Sequence, residues 1–409
     1  MGLAIRTVRH APLALACALA LAPGLAGCGP SGLGRAGPAG PLPPPGSGIE
    51  SAPLAATGDP MRIGTGPVRI ALIAPLTGPN GPSAVGLSLR NAAELAVAAF
   101  DNAQVTVIVK DDQSSPAGAR AAAQAAIAEG AQLVVGPLFA ANVREVGAVA
   151  RMADKPVIAF STDPTVAGRG VHLLSFLVES HVDRIVDYAA ARGKRSMAAL
   201  IPGSDYGRLA EAAFLAAAAR NNVRVMLVEH VSPGASAAAA QKIASLGAQI
   251  DALFIPEQAE AMAGLSQGRV AAGLDGKRVQ ILGPGLWNDA RVLKIPALQG
   301  AWFAAPDNAG FTSFAASYRD TFGADPARVA TLAYDAVALG VALTRQQPGE
   351  GFTPRALQGE SGFNGTDGVF RFRADGLNER GLCVQMIEGG TTAIVSPAPR
   401  SFGAAPSPT

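Results

Sequence analysis

From residue 68 to about residue 345, short runs of Val, Ile, Leu and Ala alternate with longer Ala-rich stretches. The runs at 68–73, 105–109, 133–135 and 157–160 are almost continuously apolar, as strands are when helices cover both faces of a parallel sheet. Between them, 84–102, 116–129 and 141–153 read as helices. After a helix near 179–192 the alternation restarts, with strands predicted at 197–201, 223–228, 252–255 and 279–282 and helices near 206–221, 237–246 and 257–272. Such alternation predicts βαβ units, and two full series predict an α/β protein of two Rossmann-like lobes. Helices at 311–322 and 329–344 then precede strands at 362–372 and 382–387, with turns at Ala374-Asp375-Gly376. A chain that continues in this way after two finished lobes re-crosses between them, which predicts a hinge of several strands. The expected first lobe is about 67–185 plus 308–345, and the second about 186–307 plus 346–392.

Outside 67–392 the pattern changes. Residues 11–22 form a short Ala/Leu run behind Arg6, Arg9 and His10, and small residues lead into Leu25-Ala26-Gly27-Cys28. A positive start, an apolar core and small residues describe a cleavable export signal, and the run is too short to span ~30 Å of hydrocarbon. The segment resembles a bacterial lipobox, which implies cleavage after residue 27, acylation of Cys28 and a membrane anchor. Gly29 stands where an inner-membrane retention signal would resemble Asp, which favours the periplasmic face of the outer membrane. Residues 28–66 are rich in Gly and Pro around Pro43-Pro44-Pro45 and cannot bury a core, so a tether is expected. Residues 393–409 are expected to be a disordered tail.

Without residues 1–27 the chain loses Arg6 and Arg9, leaving 31 basic against 31 acidic residues. A neutral surface argues against a nucleic-acid partner. Only Cys28 and Cys383 remain, so acylation of Cys28 excludes an intramolecular disulfide. His172, His181 and His230 lie far apart with no CxxC or HxxxH nearby, and neither a metal nor a cofactor is expected. The chain has no G-x-S-x-G elbow at a strand-to-helix turn, no H-E-x-x-H and no G-x-G-x-x-G after its first strand, so binding rather than catalysis is expected.

In open α/β sheets ligands sit beyond the carboxyl ends of the strands. After the first strand comes Ala74-Pro75-Leu76-Thr77-Gly78-Pro79-Asn80-Gly81-Pro82-Ser83. The amides of Thr77 and Gly78 and a helix N-terminus capped by Ser83 could hold a carboxylate or phosphate; a plain strand-to-helix turn would use the same residues. In Phe160-Ser161-Thr162-Asp163-Pro164 the hydroxyls of Ser161 and Thr162 either face a ligand or cap a turn. In Ser204-Asp205-Tyr206-Gly207, Tyr206 could lay its ring on a ligand while Asp205 caps the next helix. Glu257 and Glu260 could pair with an ammonium group, or simply favour a helix N-terminus.

Four segments in this order give the chain a wider likeness: Ala74-Pro75-Leu76-Thr77-Gly78-Pro79, Gly130-Ala131-Gln132-Leu133-Val134-Val135-Gly136-Pro137, Asp205-Tyr206-Gly207, and Phe363-Asn364-Gly365-Thr366-Asp367-Gly368 running into Phe370-Arg371-Phe372. Over about 67–390 the chain resembles the type I periplasmic binding proteins of the leucine/isoleucine/valine-binding family. The resemblance implies two lobes that close on an amino-acid-like or amide solute and an ABC transporter permease as partner. Thr162 and Tyr206 match ligand-contacting positions. Phe139 and Ala140, within Leu138-Phe139-Ala140-Ala141, stand where the family offers serine to a carboxylate, and Val85 stands where it often has an aromatic clamp. The ammonium-binding acid falls near Glu260 or Ala261. The stretch Gly130 to Leu138 is also similar to lipoprotein activators of penicillin-binding proteins, which implies, alternatively, a peptidoglycan synthase as partner.

Overall fold

The computed structural model describes residues 61–402 except 233, 234, 275, 277 and 347–350; the export signal, Cys28 and most of the tether lie outside the described residues. The chain begins with β1 (Arg62–Ile63) and β2 (Val68–Ala74). A small hairpin, β3 (Thr77–Gly78) and β4 (Gly81–Pro82), leads to α1 (Ala84–Ala98). Next come β5 (Val105–Asp111), α2 (Pro116–Ala128), β6 (Leu133–Val135), α3 (Ala140–Met152), β7 (Val157–Ala159) and β8 (Val171–Leu173). Their sheet has the order β1-β5-β2-β6-β7-β8, parallel throughout except for β1. Ile70, Leu72, Val107 and Val135 face one apolar cluster, and Ala71, Ile73 and Val134 face another. Burial on both faces is why these strands are nearly all aliphatic.

The second series is α4 (Val178–Ala191), β9 (Ser196–Pro202), α5 (Asp205–Arg220), β10 (Arg224–Val231), α6 (Ser236–Ala244), β11 (Ala252–Phe254), α7 (Ala259–Ala271), β12 (Gln280–Gly283), α8 (Ala290–Leu293) and β13 (Trp302–Ala305). The chain returns to the first lobe with α9 (Asn308–Phe322) and α10 (Ala330–Gln346), which bury Phe314, Tyr318, Leu332 and Val337 against the cluster of Ile70. A Cβ added to Gly340 would lie 2.6 Å from Ile70 Cδ1, so glycine lets α10 sit this close without displacing that methyl. After α11 (Pro354–Leu357), a small antiparallel sheet forms from β14 (Phe363–Gly365), β15 (Gly368–Phe372) and β16 (Asn378–Arg380). Strands β17 (Cys383–Glu388) and β18 (Thr391–Ser396) complete a seven-stranded sheet, β10-β9-β11-β12-β13-β17-β18, joining it antiparallel.

Three parts of the sequence reading change. The division near 185 falls inside α4, whose Val178, Val182 and Ile185 all pack with Met197 and Phe254 of the second lobe; the crossing is at 174–177. Residues 352–372, expected in the second lobe, stay with the first because Phe352, Leu357, Phe370 and Phe372 join its core. The expected tail begins as β18 and continues as a packed segment. There Arg184 Nη2 on α4 donates to Ser396 Oγ (2.7 Å), Pro399 lies against Gly381, and Phe402 N donates to Ser361 O (3.1 Å) beside β14. Arg371 of β15 covers the Phe402 ring at 4.7 Å. Residues 397–402 therefore run from the second lobe to the first.

Candidate functional site

Each lobe-to-lobe crossing leaves or enters at the carboxyl ends of the strands, so both sets of strand ends border the gap between lobes. Ser175, in the first crossing, donates from N to Asn378 Oδ1 (3.1 Å), and Asn378 Nδ2 donates back to Ser175 O (3.2 Å). At the second crossing, Gln385 Nε2 donates to Pro306 O at 3.1 Å. At the third, Arg184 Nε donates to Leu382 O at 2.9 Å. The guanidinium of Arg328, ahead of α10, lies between the rings of Phe176 (4.6 Å) and Phe311 (4.5 Å) and forms a two-pronged pair with the fully buried Asp367. These contacts join the crossings into one polar and aromatic floor.

Three strand-to-helix turns at these ends share one device. Ser83, Ser115 and Ser204 each accept from the amide three residues on, at Gly86, Gly118 and Gly207. A Cβ on those glycines would lie 2.0 Å from Pro75 O, 2.3 Å from Asp112 O and 1.9 Å from Pro202 O respectively. The serine satisfies a helix N–H and the glycine lets the first turn press on the strand-end loop. Ser83 caps α1 as expected. Ser204, not Asp205, caps α5; Asp205 is its first residue and pairs with Arg208 at 2.8 Å.

In the first lobe, Thr77 and Gly78 form the hairpin strand β3, but the Thr77 hydroxyl donates to Asp111 Oδ2 (2.5 Å) and its amide to Asp111 Oδ1 (3.1 Å). The hairpin is thus pinned to the end of β5. Phe139 is the N-cap residue of α3, contributes no side-chain cap and is 45% exposed; Ala140 opens that helix. Ser161 is buried and its hydroxyl accepts from Asp163 N (3.1 Å), which makes it a turn cap, whereas Thr162 is exposed.

In the second lobe, Tyr206 is half-buried against the core of α4 and α5. Burial and the neighbouring Glu179 push its phenol above the usual range, so it acts as a neutral hydroxyl and aromatic surface. Glu257 bonds the amide of Gln258 at 2.8 Å. Glu260 points to solvent, in an ion pair with Arg291 (2.8 Å) that also holds Asp289. Sequence reasoning missed Asp111, the 37% exposed Leu286 after β12, and the Asn288–Asn308 side-chain bonds (2.7 and 3.1 Å). The strand-end rule applied to β5 and β12 would have marked Asp111 and Leu286. Nothing local marks Arg328, whose ring and carboxylate partners Phe176, Phe311 and Asp367 come from three separate segments.

No group of three metal-ligating side chains occurs among the described residues. None of the curated proteins compared matches the chain. Among solved structures, a putative branched-chain amino acid ABC transporter protein from Rhodospirillum rubrum is similar at 18% identity and TM-score 0.71, over 80% of this chain and 99% of that one. A solute-binding protein of an ABC transporter from Rhodopseudomonas palustris, in complex with 3,4-dihydroxybenzoic acid, is similar at 21% identity and TM-score 0.57, over 83% and 98%. A branched-chain amino acid transporter substrate-binding protein from Streptococcus pneumoniae, in complex with isoleucine, is similar at 20% identity and TM-score 0.55, over 81% and 99%. A sequence model of the periplasmic binding protein family matches residues 67–391, and the chain belongs to that family.

Proposed function

We propose that the chain is a periplasmic solute-binding protein, held to the membrane by a lipid on Cys28, that closes its two lobes on a small solute and presents the closed form to the permease of an ABC importer. The observation that carries this reading is the hinge: three crossings, tied to one another by Ser175, Asn378, Gln385 and Arg184, border the strand ends of both lobes. Such an arrangement lets two rigid lobes move about one axis, and a ligand that touches both favours the closed state.

The proposed contacts are the amides near Thr77 and Gly78, Phe139, Ala140, Ser161, Thr162, Tyr206, Glu257 and Glu260. The ligands named for the Rhodopseudomonas and Streptococcus proteins are small organic acids, one with an ammonium group and one without. A solute of amino-acid-like or amide chemistry fits that range. The proposed anchor faces the periplasm from the outer membrane. The activator reading draws no support from these relatives.

Thermal melting of the purified chain against amino acids, amides and aromatic acids tests the proposal. A ligand at ~100 times its Kd stabilises by about 2.7 kcal/mol. A shift with one class, lost in Tyr206→Ala, is expected. No shift across the panel, together with capture of a penicillin-binding protein, overturns it.

A further inference from the structure

The amino ends of β6, β7 and β8 lie at the far side of the first lobe from the gap between lobes. Just before those strands stand Gln132, Lys155 and Gly170, and they line a cavity of about 560 Å³ that Arg151, Asp154, Arg169 and His172 share. The side chains of Arg151, Lys155 and Arg169 make no ion pair or hydrogen bond among the described residues, and Asp154 is the one carboxylate beside them. Three like charges gathered without partners repel one another unless solvent or an anion lies between them.

A second observation points the same way. His172, 4% exposed, stacks at a tilt on Phe372 (5.1 Å), and its Nδ1 is buried without a hydrogen-bond partner. A buried polar atom left unpaired costs about 1–3 kcal/mol, and it belongs to a residue that forms part of the wall of the cavity that the cations rim. Arginine presents paired donors that match phosphate oxygens. The volume lies within the range of small-molecule sites, roughly 300–1,000 Å³, and exceeds what one phosphate fills.

We propose that this cavity binds a phosphate ester, with Arg151, Lys155 and Arg169 around the phosphate and His172 at the inner end. The ester is either a free small molecule or the headgroup of an anionic phospholipid. Met152, 91% exposed next to Arg151, would meet the acyl region in the second case.

The test uses the full-length chain carrying Cys28→Ser, so that no acyl chain contributes. Calorimetry with glycerol 3-phosphate and with inorganic phosphate reads the free ligand; co-sedimentation with phosphatidylglycerol against phosphatidylcholine vesicles reads the headgroup. Binding in either arm, weakened at least ~tenfold in an Arg151→Ala/Arg169→Ala double variant whose melting is unchanged, supports the site. Sedimentation with phosphatidylglycerol that Met152→Ser reduces, while glycerol 3-phosphate gives no heat, assigns the lipid; heat from glycerol 3-phosphate without sedimentation assigns the free ester. No binding in either arm, or equal binding by the double variant, overturns the proposal. A His172→Gln variant that folds and binds as the wild type does removes His172 from it.

Discussion

His181 and Asp335 lie buried near Arg380 and hold their protons in opposite senses. His181 Nδ1 accepts from Gly285 N at 3.0 Å, so the neutral ring carries its proton on Nε2, which has no partner. Burial, helped by Arg380 and Arg328, brings its pKa down from 6.5 to about 4. Asp335 accepts from Thr366 N (2.7 Å), and burial raises its pKa from 3.8 to about 6 despite Arg380. Between pH 4 and 6.5 the unfolded chain binds more protons at His181, so that contribution is complete above 6.5 and is lost as pH falls. At Asp335 the folded chain binds more, so its contribution is present below 3.8 and is lost as pH rises through 6. Each shift amounts to about 3 kcal/mol over its window, and the two oppose. Urea unfolding at pH 4.5 and 6.5 should therefore show Asp335→Asn gaining stability with rising pH relative to wild type, and His181→Gln losing it. Parallel pH profiles for all three proteins would show that neither group titrates as described.

At the scale of elements, the serine–glycine turns decide how closely each helix starts against its strand. Ser204→Ala should cost ~1 kcal/mol, the usual value of an N-cap hydroxyl. Gly207→Ala should cost more, about 1–3 kcal/mol, because the new Cβ meets Pro202 O at 1.9 Å and backbone must shift. Chemical denaturation of both variants checks the order; Gly207→Ala as stable as Ser204→Ala would mean that the close approach is relaxed in solution. The long buried strands β2, β5 and β9 were legible because their runs are almost wholly aliphatic, broken only by Arg69 in β2 and Thr106 in β5 before the strand ends. Strand β8 is interrupted by His172 and β16 is Asn378-Glu379-Arg380, so no apolar run marks them; β18 was hidden by its Thr and Ser. The site was legible as a set of loops, since strand-end position depends on topology alone. It was not legible as contacts: Thr77 and Asp111 are 34 residues apart, and sequence spacing carries no sign of such a bond.

For the whole molecule, the segment 397–402 adds a fourth connection between the lobes, beyond the residues that match the family. It is fixed to α4 of the second lobe through Arg184 with Ser396 and Pro397, and to the small sheet of the first lobe through Phe402 with Ser361 and Arg371. Between those anchors Pro399 packs on Gly381, at the third crossing. A short segment held at both ends would slacken or stretch in the proposed closure of the lobes about the crossings, and would then bias the balance of open and closed forms. Removing residues 397–409 should leave both cores intact, since none of their buried members lies in that segment. The truncated chain should melt within a few degrees of the full chain, exchange amide hydrogens faster around 361–362 and 381–382, and show a changed radius of gyration in solution scattering without ligand. Phe402→Ala should reproduce part of the effect, because it removes the ring that Arg371 covers while leaving the second-lobe anchor in place. Unchanged exchange and scattering in the truncated chain would mean that the segment lies on the hinge without restraining it.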